Sequence, residues 1–142
     1  MKETIRKNIV DLPYSLHDAR VNKIQIEEQN IVLHFSEGYF KPMDNYCLPV
    51  KENAVINING VDLDFCNAYL ITAMDSCGKF TGEKYGLEEF VSNFPDINFE
   101  IVDETYGYNQ SKFSGNLYNN KEIKECIIEI YHFGDMKYIV DD

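Results

Sequence analysis

Asn59-Gly60 constrains this chain more than any other pair of residues. It stands between two alternating runs, Ala54 to Ile58 (AVINI) and Val61 to Phe65 (VDLDF). A two-residue hairpin loop needs positive φ at its central positions, and Asn-Gly meets that need with least strain. The pair therefore predicts a type I′ hairpin with Ile58 opposite Val61, Ile56 opposite Leu63 and Ala54 opposite Phe65, all on one face. Asn57 and Asp62 then share the other face, beside Val55 and Asp64. Turn chemistry and hydrophobic alternation arrive at this register independently.

Similar signals recur along the chain. Residues 3–12 place Ile5, Ile9 and Leu12 at helical spacing, a short amphipathic turn that Pro13 ends. Tyr14 to Asp18 reads as a turn. Arg20 to Glu27 reads as a strand, with Ile24 and Ile26 on one face and Val21 out of phase, which suggests a bulge or shared burial. After a polar turn at Glu28-Gln29-Asn30, Ile31, Leu33 and Phe35 share a face, with Val32 and His34 opposite. Residues 37–45 read as a loop, and Tyr46 to Val50 as a short edge strand limited by Pro49. Ala68 to Met74 is an apolar strand, and residues 75–86, with three glycines, read as a loop. Leu87, Phe90, Val91 and Phe94 form one helical stripe that Pro95 stops, which predicts a helix over about 87–94. Ile97 to Glu104 alternates as a strand, with Tyr106 and Tyr108 beyond it. Asn109-Gln-Ser111 and Tyr118 to Lys121 turn the chain. Ile123 to Phe133 is a long strand with Cys126, Ile128, Ile130 and His132 on one face. Gly134-Asp135 suits a second tight hairpin, pairing Tyr131 with Tyr138 and Ile130 with Ile139.

About eight or nine strands and one short helix result, mostly joined by short connections, which favour antiparallel pairing. The expected class is α+β, predominantly antiparallel β, built as a sandwich or a curled open sheet with the helix packed on it. No repeat or linker divides the 142 residues, so residues 1–142 read as a single β-rich domain.

Net charge narrows the function. The formal charge is -11, with the acidic excess falling after Lys51. Nucleic acid is excluded as a direct ligand, because phosphate binding needs stripes of Lys and Arg. An anionic membrane is disfavoured for the same reason. A basic protein partner fits, since complementary fields speed and orient encounter. The N-terminal stretch holds no apolar run of signal-peptide length, and no stretch could span a bilayer as a helix, so a cytoplasmic location is expected. The cysteines Cys47, Cys66, Cys77 and Cys126 form no C-x-x-C pair and read as reduced, buried, small hydrophobes.

Candidate chemistry centres on His17-Asp18. A carboxylate beside an imidazole is a unit of general-base and metal chemistry, yet neighbours on a strand point to opposite faces and meet only where the backbone turns. The competing reading is structural, with Asp18 bonding backbone amides and His17 donating one hydrogen bond. His17, His34 and His132 lack metal-ligand spacing, and no metal or cofactor is expected. Asn57, Asn59, Asp62 and Asp64 supply oxygens of the kind calcium takes, without the calcium-loop pattern; a solvated face explains them. Gly78-Lys79 with Gly82 and Gly86 fails the phosphate-loop pattern, and no nucleophile elbow is present.

The string LHDARVNKIQIEEQNIVLHF, carried by Leu16, His17, Asp18, Ala19, Val21, Ile24, Ile26 and Ile31 to Phe35, resembles the opening of several small β-rich bacterial families of mostly unknown function. Some of these are immunity proteins found beside polymorphic toxins. The resemblance covers about a seventh of the chain. It implies a binding protein and carries over no catalytic residue.

Two functions follow as expectations. The first is a non-catalytic protein-binding module, an immunity-type inhibitor of a basic toxin. It would use an acidic, tyrosine-rich surface: Glu83 to Glu89, Asp103 to Tyr108 (with Tyr106), and a Tyr131/Tyr138 ladder. The second is a small-molecule binder or hydrolase whose pocket gathers His17, Asp18 and His34. A further expectation makes the Ile123 to Val140 hairpin a sheet edge for self-association.

Overall fold

The computed structural model describes residues 1–50 and 53–141. Among these the chain is mostly antiparallel β, with thirteen strands and one short α-helix in open sheets. Strands are numbered in chain order. One sheet runs β1 (Lys2–Ile5), β13 (Met136–Val140), β7 (Ala54–Ile58), β4 (Asn30–Phe35), β3 (Lys23–Glu27). The other runs β2 (Arg20–Val21), β10 (Phe99–Gly107), β11 (Gln110–Asn119), β12 (Glu122–Tyr131), β8 (Asn67–Met74), β9 (Phe80–Gly86). A separate two-stranded arm pairs β5 (Tyr39–Pro42) with β6 (Cys47–Val50).

Alternation decides which side chains fill the core. Ile31, Leu33 and Phe35 of β4 and Ile56 and Ile58 of β7 face inward from the first sheet. Phe113 and Leu117 of β11 and Cys126, Ile128 and Ile130 of β12 face them from the second, in one hydrophobic cluster. Each large apolar side chain buried this way contributes roughly 1.5–3 kcal/mol. The helix α1 (Leu87–Asn93) adds Leu87 and Phe90 to the same cluster, as its apolar stripe predicts.

The hairpins β3–β4, β10–β11 and β11–β12 form as expected. The two tight glycine turns do not close hairpins. β7 pairs with β4 on one side and β13 on the other, so Ile56 faces Leu33 and Tyr138 rather than Leu63. Both edges of β7 are taken, and Val61 to Phe65 has no strand to join. Instead Leu63–Phe65 forms a 3-10 turn, N-capped by the Asp62 side chain, that carries the chain to β8 in the other sheet. At Gly134-Asp135 the chain likewise leaves β12 in one sheet and enters β13 in the other. Tyr131 pairs with Gln110, and Tyr138 with Ile56 and Thr4, not with each other. β12 and β13 are both interior strands, so the segment from Ile123 to Val140 is not a sheet edge.

The two crossovers lock together. Asn59 N–H donates to the Asp135 carbonyl, Gly134 N–H to Asn59, and Phe133 N–H to Gly60, at 2.9 to 3.0 Å. Gly60 has φ +64, and a Cβ on it would lie 2.8 Å from the Gly134 nitrogen; a Cβ on Gly134 would lie 2.7 Å from the Asn59 carbonyl oxygen. Only glycine permits this approach.

Other expectations change as well. Arg20 to Glu27 is two strands in different sheets, which is why Val21 is out of phase yet buried. Residues 2–5 form an edge strand rather than a helical turn, and residues 80–86, expected as loop, pair with β8. Residues 37–45, also expected as loop, contain β5. Cys66 and Cys126 are buried, whereas Cys47 and Cys77 are exposed. Burial pushes the Cys66 thiol up to about 11 and the Cys126 thiol up to about 12, which removes them from thiolate chemistry.

Candidate functional site: an acidic and aromatic groove at the crossover corner

His17-Asp18 lies at a backbone turn, with Asp18 at φ 68. The turn brings the two side chains to 3.5 Å, both 61% exposed. Their main connections are to a β-bulge in β10, between Ile101 and Asp103. His17 Nδ1–H donates to the carbonyl of Val102, the bulged residue, at 2.6 Å. Asp18 N–H donates to the Ile101 carbonyl at 2.8 Å, and Ile101 N–H donates back to Ala19 at 2.9 Å. The bulge leaves a carbonyl without a ladder partner, and His17 supplies one. The bond to Val102 raises the His17 pKa; burial opposes this, and the Asp18, Asp103 and Glu104 carboxylates add to the rise. This arrangement pins β10 to the N-terminal segment.

His34 lies elsewhere, on the outer face of β4. Its Nε2–H donates to Gln25 Oε1 at 2.7 Å, and burial lowers its pKa, with Lys23 adding to the effect and Glu27 opposing it. A groove of about 320 Å³ beside it is lined by Asn22, Phe35, Ser36, Asn53, Ala54 and Val55. His17 and Asp18 do not line it, so the three residues share no concavity.

The four tyrosines separate in the same way. Tyr108 is 92% exposed at the tip of the β10–β11 hairpin. Tyr106 and Tyr138 are buried and offer no surface to a partner. The bulge in β10 shifts the strand's phase, which turns Tyr106 inward. Its hydroxyl donates to Glu104 Oε1 at 2.7 Å, and Arg6 lies 4.2 Å over its ring. Tyr138 packs against Tyr14 and Tyr39 at ring separations of 5.2 and 5.9 Å. Burial raises the pKa of both Tyr106 and Tyr138.

Tyr131 points outward and belongs to a surface cluster. Its ring lies 5.6 Å from Phe65 and 5.1 Å from Phe133. Phe65 and Phe133 are 63% and 64% exposed. Phe65 follows the first crossover and Phe133 opens the second, so the locked glycines set their positions. Phe133 lines a groove of about 660 Å³ whose other walls carry Glu28 from the β3–β4 turn, Asp62 and Asp64 from the crossover, and Glu88 from the first turn of α1. Leu63, Val61, Gly60 and Gln29 complete the lining, so it contains four carboxyl groups and no Lys or Arg. The Cys66 thiol braces the corner, donating to the Asp62 carbonyl at 3.2 Å and accepting from Tyr131 N–H at 3.3 Å.

The sequence held part of this signal. Tyr131 and Phe133 continue the outward phase of β12, so two aromatics on a polar face were readable. The hairpin register expected at Asn59-Gly60 placed Phe65 inside and hid the third ring. Glu28 and Glu88 come from distant elements and could join the groove only through the fold.

Among the described residues no group of three or more His, Cys, Asp or Glu side chains could hold a metal ion, and no helix is long and apolar enough to cross a membrane. Comparison with known protein families, with curated proteins and with solved structures finds no match to this chain.

Proposed function

We propose that this chain is a non-catalytic protein-binding module that engages a basic partner through the groove at its crossover corner. The observation that carries this reading is an exposed Phe133 in a groove walled by Glu28, Asp62, Asp64 and Glu88, with exposed Phe65 in the same ring cluster through Tyr131. Exposed aromatic rings supply contact area at low entropic cost, and carboxylates around them steer and orient a cationic surface. A net charge of -11 extends that field beyond the groove. The N-terminal resemblance to immunity proteins supports the same class of partner, a basic toxin domain that this chain would neutralise.

Affinity capture with the full chain, at low and at high salt, tests the proposal. The expected result is a basic protein retained by the wild type at low salt and released by salt. Phe133→Ser and Asp64→Lys should each abolish its retention. Retention that both variants leave intact, or no partner at either salt, would defeat the reading.

A further inference from the structure

His132 occupies the corner that carries the groove, and it is 4% exposed. Its backbone N–H donates to the Asn109 carbonyl at 3.0 Å, and it bridges Val61 of the other crossover. Its ring Nδ1–H donates to the Gly134 carbonyl at 3.0 Å. The neutral ring therefore presents Nε2 as an acceptor, and the Ser111 hydroxyl donates to it at 2.7 Å. One imidazole thus ties β11 to the segment joining β12 to β13. Its chain neighbours, Tyr131 and Phe133, are two of the three surface rings.

The surroundings oppose a second proton on this ring. From β11 it faces the Ser111 hydroxyl, which donates to the neutral Nε2 and would have to turn its proton toward Met136 Sδ of β13, 3.8 Å away, before Nε2 could carry one. From the segment after β1 it feels Arg6, whose Nε is buried without a hydrogen-bond partner. Behind Arg6 stand the Tyr106 ring and Glu104 of β10, and Tyr138 of β13. The Glu104 carboxylate already accepts from Tyr106 and from Leu16 N–H. Asp135 of the same crossover is exposed, and Asp62 of the other caps the 3-10 turn. Burial lowers the His132 pKa, the Gly134 carbonyl opposes that, and Arg6 lowers it further.

We propose that His132 is a proton-operated latch on the crossover corner. With the ring neutral the two crossovers stay locked and hold Phe133 at the groove; with the ring charged the corner opens and the groove is lost. The functional consequence rests on reading the groove as the binding face, whereas the latch itself can be measured without a partner.

The test is amide hydrogen exchange by NMR on the full chain, from about pH 7.5 to about pH 5.5, with the His132 ring resonance followed in parallel. Protection at Asn59, Phe133 and Gly134 should fall by up to about tenfold per pH unit, after correction for intrinsic rates, with a midpoint that tracks the ring's titration. Amides at the far end of β11–β12, such as Leu117, should hold their protection. His132→Gln should make corner protection independent of pH. Corner protection that stays flat while wild-type His132 titrates overturns the latch. So does an unchanged ring with a flat corner across the range, or the same loosening in His132→Gln. Adding a Lys/Arg-rich peptide at both pH values separates the two claims. Peptide binding at the groove that disappears together with corner protection supports the latch and its link to binding. A corner that opens on acidification, with no peptide bound at the groove at neutral pH, sustains the latch and defeats the binding reading.

Discussion

The turn at Glu28-Gln29 and the turn at Asn59-Gly60 use the same backbone device and lead to opposite outcomes. Glu28 has φ 57 and Gly60 has φ 64, both left-handed. After Glu28 the chain folds back on itself, and β4 pairs with β3 in register. After Gly60 it leaves its sheet altogether. What differs is the vacancy beside the outgoing strand. β3 is an edge strand whose open side takes β4, whereas β7 is flanked by β4 and β13. A left-handed residue therefore fixes where the chain bends, while strand occupancy decides what it pairs with next.

The sharpest way to break this comparison is to add a methyl group at the corner. Gly60→Ala must hold an L-residue at positive φ and also place Cβ 2.8 Å from the Gly134 nitrogen. We expect a loss of about 3 kcal/mol in denaturant unfolding, from overpacking and left-handed strain together. Gly78→Ala is the control: φ is +80, but a Cβ there meets nothing within 4 Å. It should cost about 1 kcal/mol, the backbone strain alone. Equal costs at the two sites would mean that the crossovers do not touch.

Next in size is the polar pair beneath the corner. Ser111→Ala leaves His132 Nε2 buried without its donor and should cost about 2 kcal/mol. The pH dependence follows from the same ring. A histidine whose pKa is lowered on folding contributes fully above its unfolded value of 6.5, and that contribution declines as pH falls toward the folded value. His34 acts in the same direction. His17, raised on folding, acts oppositely: its contribution is present below 6.5 and lost as pH rises through its folded value. Solvent exposure keeps the His17 effect small. Unfolding free energy should therefore fall on acidification below about pH 6.5, and His132→Gln should flatten that slope. An unchanged slope would remove His132 from the account. The smallest effect belongs to the hairpins. Asn109, at φ 55, tolerates the left-handed region, so Asn109→Gly should change stability by no more than about 0.5 kcal/mol.

These differences also mark what the sequence made legible. Ile31, Leu33 and Phe35, or Cys126, Ile128 and Ile130, declare a buried face by alternation alone, and the α1 stripe declares a helix. Those elements form as expected because local pattern and final environment agree. Val21 carried a correct warning, since its wrong phase marks the switch between sheets at Asn22. The crossovers were not legible, because Asn59-Gly60 and Gly134-Asp135 satisfy hairpin chemistry locally and only the filled edges of the sheet exclude it. The groove was legible in pieces. Asp62 and Asp64 share the polar face that alternation marks, Tyr131 belongs to the expected tyrosine surface, and nothing in the order of residues joins them to Glu28 or Glu88.

A titration of the isotopically labelled full chain with a short Lys/Arg-rich peptide, read by backbone amide shifts, tests the central claim most directly. An acidic protein attracts such a peptide in any case, so the location of the shifts is the result that matters. The account predicts perturbations concentrated at Val61 to Phe65, Glu88 and Tyr131 to Phe133, weakened by salt and lost in Phe133→Ser. Shifts spread evenly over the acidic surface, or gathered at the β5–β6 arm or the His34 groove, would contradict it.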